Sequence, residues 1–319
     1  MKGKQYIKIK NNKLSYSIEL ERKITVIKGN SGTGKTTLVK MIDLWLRQKR
    51  ASGIKCNCSA DIIILNELSD WTNLLDENSG KIFIADENVK YLSWQSFGEA
   101  VNNSDNYFLF ITRSGSLGSM TYSVSSILEL KTEKRGDIHF TSAYPKYFNT
   151  SVYIKPDLVI TEDSNSGNDM MKRLLPSTFI KSSYGRSNAI NVFKSMNNKY
   201  SNIVIFVDGS AFGACIADYT GYFDKVTIVA PESFEYLLLN LDFIKKFVID
   251  ELNNTADYCN FDKDIISYER YYTELLKTTL KDNYNKNYVK SRLINFFIND
   301  NVFSQIKNML SDIDFSNKD

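Results

Sequence analysis

Histidine is almost missing from this chain and cysteine is scarce, with 1 His and 4 Cys in 319 residues. With His139 alone available, any Ser-His or Cys-His catalytic device would depend on it, and that class of enzyme is set aside. Cys56, Cys58, Cys215 and Cys259 do not form two pairs at tetrahedral metal spacing. The Cys56-Asn57-Cys58 pair therefore reads as reduced structural thiols, not as half a zinc site. No apolar run reaches the roughly 18 residues of a membrane-spanning helix, so no membrane partner is expected. Residues 1–10 carry lysines where a secretory signal would be apolar, which leads us to expect a cytoplasmic protein. Charge of neither sign dominates: 40 Lys+Arg against 37 Asp+Glu leaves +3, a total that argues neither for nor against nucleic acid. Internal repeats, low-complexity segments and flexible linkers are also lacking.

What is present suits two domains of roughly 150 residues each. The apolar fraction of 43% and charged fraction of 24% describe an ordinary globular chain. In the first half short apolar runs alternate with helical patterns, the signature of a parallel sheet wrapped by helices. Residues 5–10 and 14–20 read as a hairpin, 24–28 as a buried strand, and 35–50 as a helix with Leu38, Val39, Ile42, Trp45 and Leu46 on one face. Strands are expected at 61–65, 81–85, 107–112 and 126–130, with a helix over 94–101 capped by Ser93. The pattern restarts near 147–153, with strands at 158–161, 178–181, 203–207 and 226–229 and helices around 169–175 and 188–196. Beyond about residue 235 the chain reads as helical. The expected domains are 1–148, 149–240 and a helical tail, 241–319, packed on the second.

Gly29-Asn30-Ser31-Gly32-Thr33-Gly34-Lys35-Thr36-Thr37 follows a strand and opens a helix, the context that a P-loop requires. Its glycines let backbone N–H groups curl around phosphate oxygens, and the helix N-terminus favours anions. Lys35 would reach the β- and γ-phosphates, and the Thr36 hydroxyl would ligate Mg²⁺. ATP with Mg²⁺ is the expected ligand pair. Ile82-Phe83-Ile84-Ala85-Asp86-Glu87 is an apolar strand ending in two carboxylates, in the manner of a Walker B motif. Asp86 would hold the metal and Glu87 would deprotonate the attacking water. The plainer alternative is a strand that ends in a solvated acidic turn. Arg113, after the next strand, reads either as a charge clamp on the γ-phosphate or as an exposed loop arginine.

In the second half the acids gather at strand ends: Glu162 and Asp163 after the first, Asp208 after the third, Glu232 and Glu235 after the fourth. Carboxylates at the C-terminal ends of parallel strands converge on one sheet edge, where two or three can hold Mg²⁺. The rival reading is a Rossmann-like accessory domain whose acids cap helices and end strands. Met170, Met171 and Cys215 read as packing residues. Tyr268, Tyr271, Tyr272, Phe296, Phe297 and Phe303 read as a helix-packing face, and Lys277, Lys281, Lys286 and Lys290 as a solvated one.

The hairpin, the P-loop and the Asp86-Glu87 pair resemble the heads of ABC, SMC and OLD ATPases. An ABC-type signature segment is absent, no histidine follows the strand after Walker B, and too few residues separate the two motifs to hold the usual helical lobe. Residues 155–240 resemble a Toprim domain, in which Glu162 would match the first motif and Asp208 the start of Asp-x-Asp. Glu235 sits where OLD-type nucleases carry a glutamate, and Gly185-Arg186-Ser187-Asn188 is similar to their glycine-rich loop. Ser210 stands where the second aspartate of the pair would be, so Asp163 or Glu232 would have to compensate. This resemblance implies an α/β fold with a P-loop NTPase sheet, a Toprim-like domain and a helical tail. It also implies an ATP-gated, Mg²⁺-dependent nuclease of bacterial phage defence acting on DNA or RNA, with a homo-oligomer or a partner protein completing the ATPase. The rival function is an ATP-dependent switch or scaffold that binds a partner protein and cuts nothing.

Overall fold

A computed structural model describes residues 3–113, 117, 119–147, 153–259 and 265–316. It falls into two compact units, Met1–Asn149 with Ala256–Ile266, and Thr150–Thr255 with Ser267–Asp319. The expected boundary at 148/149 lies outside the described residues.

The first unit contains β1 (Gln5–Lys10), β2 (Leu14–Leu20), β3 (Ile24–Lys28), α1 (Lys35–Gln48), β4 (Lys55–Cys58) and β5 (Ile62–Leu65). Then follow α2 (Trp71–Asp76), β6 (Ile82–Asp86), α3 (Gln95–Asn103), β7 (Tyr107–Thr112), β8 (Ile127–Arg135) and β9 (Ile138–Pro145). Its strands form one nine-stranded sheet in the order β4-β1-β2-β9-β8-β3-β7-β6-β5. The run β8-β3-β7-β6-β5 is parallel. The expected hairpin of residues 5–10 and 14–20 is present, but the sheet also takes in antiparallel strands that the parallel pattern did not foretell. β1 runs antiparallel to β2 and β4, and β8 antiparallel to β9, so the architecture is mixed α/β. The physical reason is visible in the patterns. β7 is buried at every position and β3 at all but its last, because both faces are covered. β1 and β2 alternate buried and exposed residues, and their inward pairs Ile7↔Ile18 and Ile9↔Tyr16 leave the other face to water. β4 and β9 carry too few apolar residues to stand out by periodicity, and Gly136, at φ +62°, turns β8 back into β9. Ser93 does not cap α3. Its hydroxyl donates to the Lys90 carbonyl, closing a preceding turn, and Trp94 takes the cap position in an extended conformation.

The second unit has a four-stranded, wholly parallel sheet in the order β11-β10-β12-β13, made of β10 (Leu158–Thr161), β11 (Phe179–Ser182), β12 (Ile203–Phe206) and β13 (Val226–Val229). Helices α4 (Ser166–Leu174), α5 (Ala189–Met196) and α6 (Phe234–Leu239) follow β10, β11 and β13. The remaining helices of this unit are α7 (Asp242–Lys245), α8 (Ile249–Asn253), α10 (Tyr268–Tyr284) and α11 (Asp300–Met309), while α9 (Thr255–Tyr258) falls almost wholly in the first. The segment 285–299 between the last two is largely irregular. α10 packs on α6 through Tyr272 and Tyr236, with ring centroids 5.0 Å apart. Tyr268, Tyr272 and Phe297 are buried, as are Met170 and Met171. Among the described residues no helix is long and apolar enough to cross a membrane.

Candidate functional site

The loop between β3 and α1 takes its shape from two glycines. Gly32 and Gly34 have φ of +85° and +88°, where an L side chain is strained, and a Cβ on Gly34 would meet the Tyr16 hydroxyl at 2.8 Å. Tyr16, from β2, donates that hydroxyl to the Gly34 carbonyl at 3.1 Å. Lys35 is buried, and its ammonium donates to the carbonyls of Gly29 and Asn30 at 2.6 Å each and to Thr33 Oγ1 at 3.0 Å. Burial depresses the Lys35 pKa most, while Glu87 and Asp86 oppose that shift and Arg113 and Lys146 add to it. Thr36 and Thr37 fall in the first turn of α1, beside this ring of charges.

β6 lies two strands from β3, with β7 between them. Asp86 ends β6, and its Oδ1 accepts the Glu87 backbone N–H at 2.7 Å. Arg113, just past the end of β7, holds Glu87 twice: Nε lies 2.8 Å from Oε1, and the backbone N–H donates to Oε2 at 3.0 Å. Lys35, Asp86, Glu87 and Arg113 are thus brought together at one edge of the sheet by adjacent strand ends. Tyr16 and Lys146 belong to the same neighbourhood and were missed, because neither falls in a phosphate-binding or acidic motif.

In the second unit Glu162, Asp208 and Glu235 line one pocket with Asp163, Asn168 and Lys290. The Asp208 backbone N–H donates to Glu162 Oε2 at 3.3 Å, and Asp208 Oδ1 accepts the Phe234 N–H, at the start of α6, at 2.9 Å. Gly209 makes this approach possible: a Cβ there would lie 2.4 Å from the Ala230 carbonyl oxygen. Glu235, in the first turn of α6, is fully buried and accepts the Tyr288 hydroxyl at 2.8 Å. Burial, followed by the charge of Glu269, raises the pKa of Glu162 and pushes that of Asp208 well above the usual range. Burial raises Glu235 as well. For Lys290 burial is the largest single influence and lowers its pKa, but Asp208, Glu235 and Glu269 together reverse it, and the net shift is upward.

Lys290 does not stand on a solvated face, as its lysine-rich neighbourhood suggested. Its ammonium lies 3.6 Å from Asp208 Oδ2 and pairs with Glu269. A single lysine folded back across a strand edge has no sequence signal, and the same holds for Tyr288 and Glu269. Asp163 is turned to local use, with Oδ1 and Oδ2 accepting the backbone and side-chain N–H groups of Asn165 at 3.0 and 2.6 Å. Ser210 is buried and accepts the Glu269 backbone N–H at 3.2 Å. The Gly185 N–H donates to the Glu162 carbonyl at 2.7 Å, which ties the 185–188 loop to the end of β10. Among the described residues no three His, Cys, Asp or Glu side chains already stand in the geometry of a metal site.

Residues 6–131 match the family model of novel STAND NTPase 3. This part of the chain is an NTPase domain. The matched stretch holds the P-loop, Asp86, Glu87 and Arg113, and covers less than half of the chain. No curated protein matches the chain.

Proposed function

We propose that the first unit binds and hydrolyses ATP, and that this cycle gates Mg²⁺-dependent cleavage of phosphodiester bonds in DNA or RNA by a Toprim-like second unit. The observation that best supports the ATPase is the double hold of Arg113 on Glu87 beside the P-loop lysine. When ATP enters, the Lys35 ammonium exchanges the Gly29 and Asn30 carbonyls for the β- and γ-phosphate oxygens, and the N–H groups of residues 29–37 cradle the remainder. Thr36 and Asp86 offer the hard oxygen donors that suit Mg²⁺, which neutralises developing phosphate charge when bound. Arg113 occupies both carboxylate oxygens of Glu87, so neither is placed to accept a proton from water. Arg113 therefore keeps Glu87 from acting until the γ-phosphate draws the guanidinium away, and Glu87 then takes a proton from the attacking water.

For the second unit, support for a metal comes from chemistry of the lining: Glu162, Asp208 and Glu235 share one pocket, and Glu235 Oε2 is buried there without a partner among the described residues. Hard carboxylate oxygens suit Mg²⁺ or Mn²⁺. Combined with an ATP-driven unit, the natural setting would be defence against phage. A second reading, a partner-binding switch with no nuclease activity, is favoured by Lys290, which already supplies positive charge to these acids. The full chain, free of nucleotide, separates the two. A hundredfold excess of Mn²⁺ over its dissociation constant should stabilise the fold by roughly 2.7 kcal/mol. Asp208→Ala should remove both that stabilisation and Mn²⁺-dependent cleavage of plasmid or RNA. No stabilisation and no cleavage in the unaltered chain would leave the switch as the function.

A further inference from the structure

Beside the pocket at the ends of β10 and β12, across Lys290, stands a further acid that comes from a distant helix. Glu269 is the second residue of α10, and its negative charge bears on Glu162, Asp208 and Glu235 alike. Its backbone is pinned to the loop that carries Asp208, since the Glu269 N–H donates to Ser210 Oγ at 3.2 Å. The Ser210 N–H in turn donates to the Glu232 carbonyl at 3.1 Å. The first turn of α10 is therefore tied to the loop after β12, and Lys290 bridges the Glu269 and Asp208 carboxylates.

Two further observations point to a cation. Glu235 Oε2 and Asn168 Oδ1 are buried acceptor oxygens that line this pocket, and neither has a partner among the described residues. Orphaned buried acceptors are costly and ask for a donor or a positive ion. The pocket lining holds the carboxylates of Glu162, Asp163, Asp208 and Glu235 and one ammonium, that of Lys290, which pairs with Glu269 and lies 3.6 Å from Asp208 Oδ2. A lining rich in carboxylate oxygens, with buried acceptors left over, suits a hard divalent ion.

We propose that Glu269 is a direct ligand of a divalent cation bound against Asp208 and Glu235, and that this ion competes with the Lys290 ammonium for the same carboxylates. The inference rests on the reading of the second unit as metal-dependent and names the acid that completes its donor set. It accounts for the lack of ready-made metal geometry among the described residues, because Lys290 draws Glu269 and Asp208 onto itself. Ion entry then exchanges one cation for another and releases the lysine.

Mn²⁺ titration of the nucleotide-free full chain, followed by paramagnetic resonance of the free ion, tests this, with Asp208→Ala measuring any ion held elsewhere. Lys290→Met should bind Mn²⁺ more tightly than the unaltered chain, since the competitor is gone; Lys290→Gln replaces it if that variant does not fold. Outer-shell partners of a metal are worth about 10- to 100-fold in affinity, so Glu269→Gln should weaken binding at least about tenfold. The loss should appear equally in the Lys290→Met background. If Glu269→Gln weakens binding only while Lys290 is present, Glu269 acts through the lysine alone and the inference fails while the metal reading survives. Equal binding by Glu269→Gln and the unaltered chain has the same meaning. If the unaltered chain and Lys290→Met bind no more Mn²⁺ than Asp208→Ala, the metal reading itself falls and takes the inference with it.

Discussion

Lys35 has three ammonium protons, and all three point at acceptors of its own loop. Lys35→Ala should abolish ATP binding, because the phosphates then lose the loop's one cation. Glu87→Gln should bind ATP and turn it over about 10²- to 10⁴-fold more slowly, the usual worth of a positioned base. Calorimetry and phosphate release measure the two effects, and an unchanged rate in Glu87→Gln would remove that residue from the role. Thiol chemistry gives a second residue-scale test. Burial, with a smaller contribution from neighbouring Cys58, pushes the Cys56 thiol from 9.0 up to about 12. A raised thiol pKa keeps the proton on sulfur, so the reactive thiolate grows only as pH climbs toward 12. Against a free cysteine of pKa about 8.5, Cys56 at pH 8 should be alkylated by iodoacetamide roughly a thousandfold more slowly. Mass spectrometry of the modified chain would detect a rate near that of free cysteine, and such a rate would contradict the burial argument.

At the scale of elements, the second site depends on how closely β12 and β13 run on past their last paired residues. The Gly209 N–H donates to the Pro231 carbonyl at 2.6 Å, and a side chain at 209 has only backbone oxygen to meet. Gly209→Ala should therefore destabilise the second unit by about 1–3 kcal/mol, the usual cost of forcing extra volume into a packed place. Trp45, Trp71 and Trp94 all lie in the first unit. Urea unfolding should accordingly show the shift in far-UV circular dichroism and little of it in tryptophan fluorescence. An unshifted dichroism transition would mean that the strand ends separate without penalty. The same closeness explains why Ser210 is small and polar: it serves the first turn of α10 and does not project into the pocket.

For the whole molecule, the expectation concerns assembly around the nucleotide. Arg113 is engaged by Glu87 in this chain, and the P-loop unit has no ABC-type signature segment to close over the nucleotide. If a second copy or a partner subunit closes over the nucleotide, with Arg113 acting in cis or in trans, a homodimer or larger assembly should form when ATP is present. Light scattering that returns a monomer at every concentration, with and without ATP, would rule this out and leave Arg113 to act within its own chain.

The P-loop, the Asp86-Glu87 pair and the buried strands around them were legible in the sequence because each is local. A glycine-rich turn, a continuous apolar run or an acid at a strand end is written in neighbouring residues and needs no fold to be seen. The same holds for the four strands of the second sheet, whose apolar runs Leu158–Thr161 and Ile203–Phe206 are buried throughout. β4, at the sheet edge, was not legible, and β9, between β2 and β8, was legible only as a strand-like stretch around His139, since both are stabilised by their partners and not by their own composition. Nor were Tyr16, Glu269, Tyr288 and Lys290. Each reaches its site across a long stretch of chain, and only the packing of α10 and of segment 285–299 decides that a lysine from a polar run stands among Asp208, Glu235 and Glu269. Local chemistry determined which acids lie at strand ends; long-range packing determined what answers their charge.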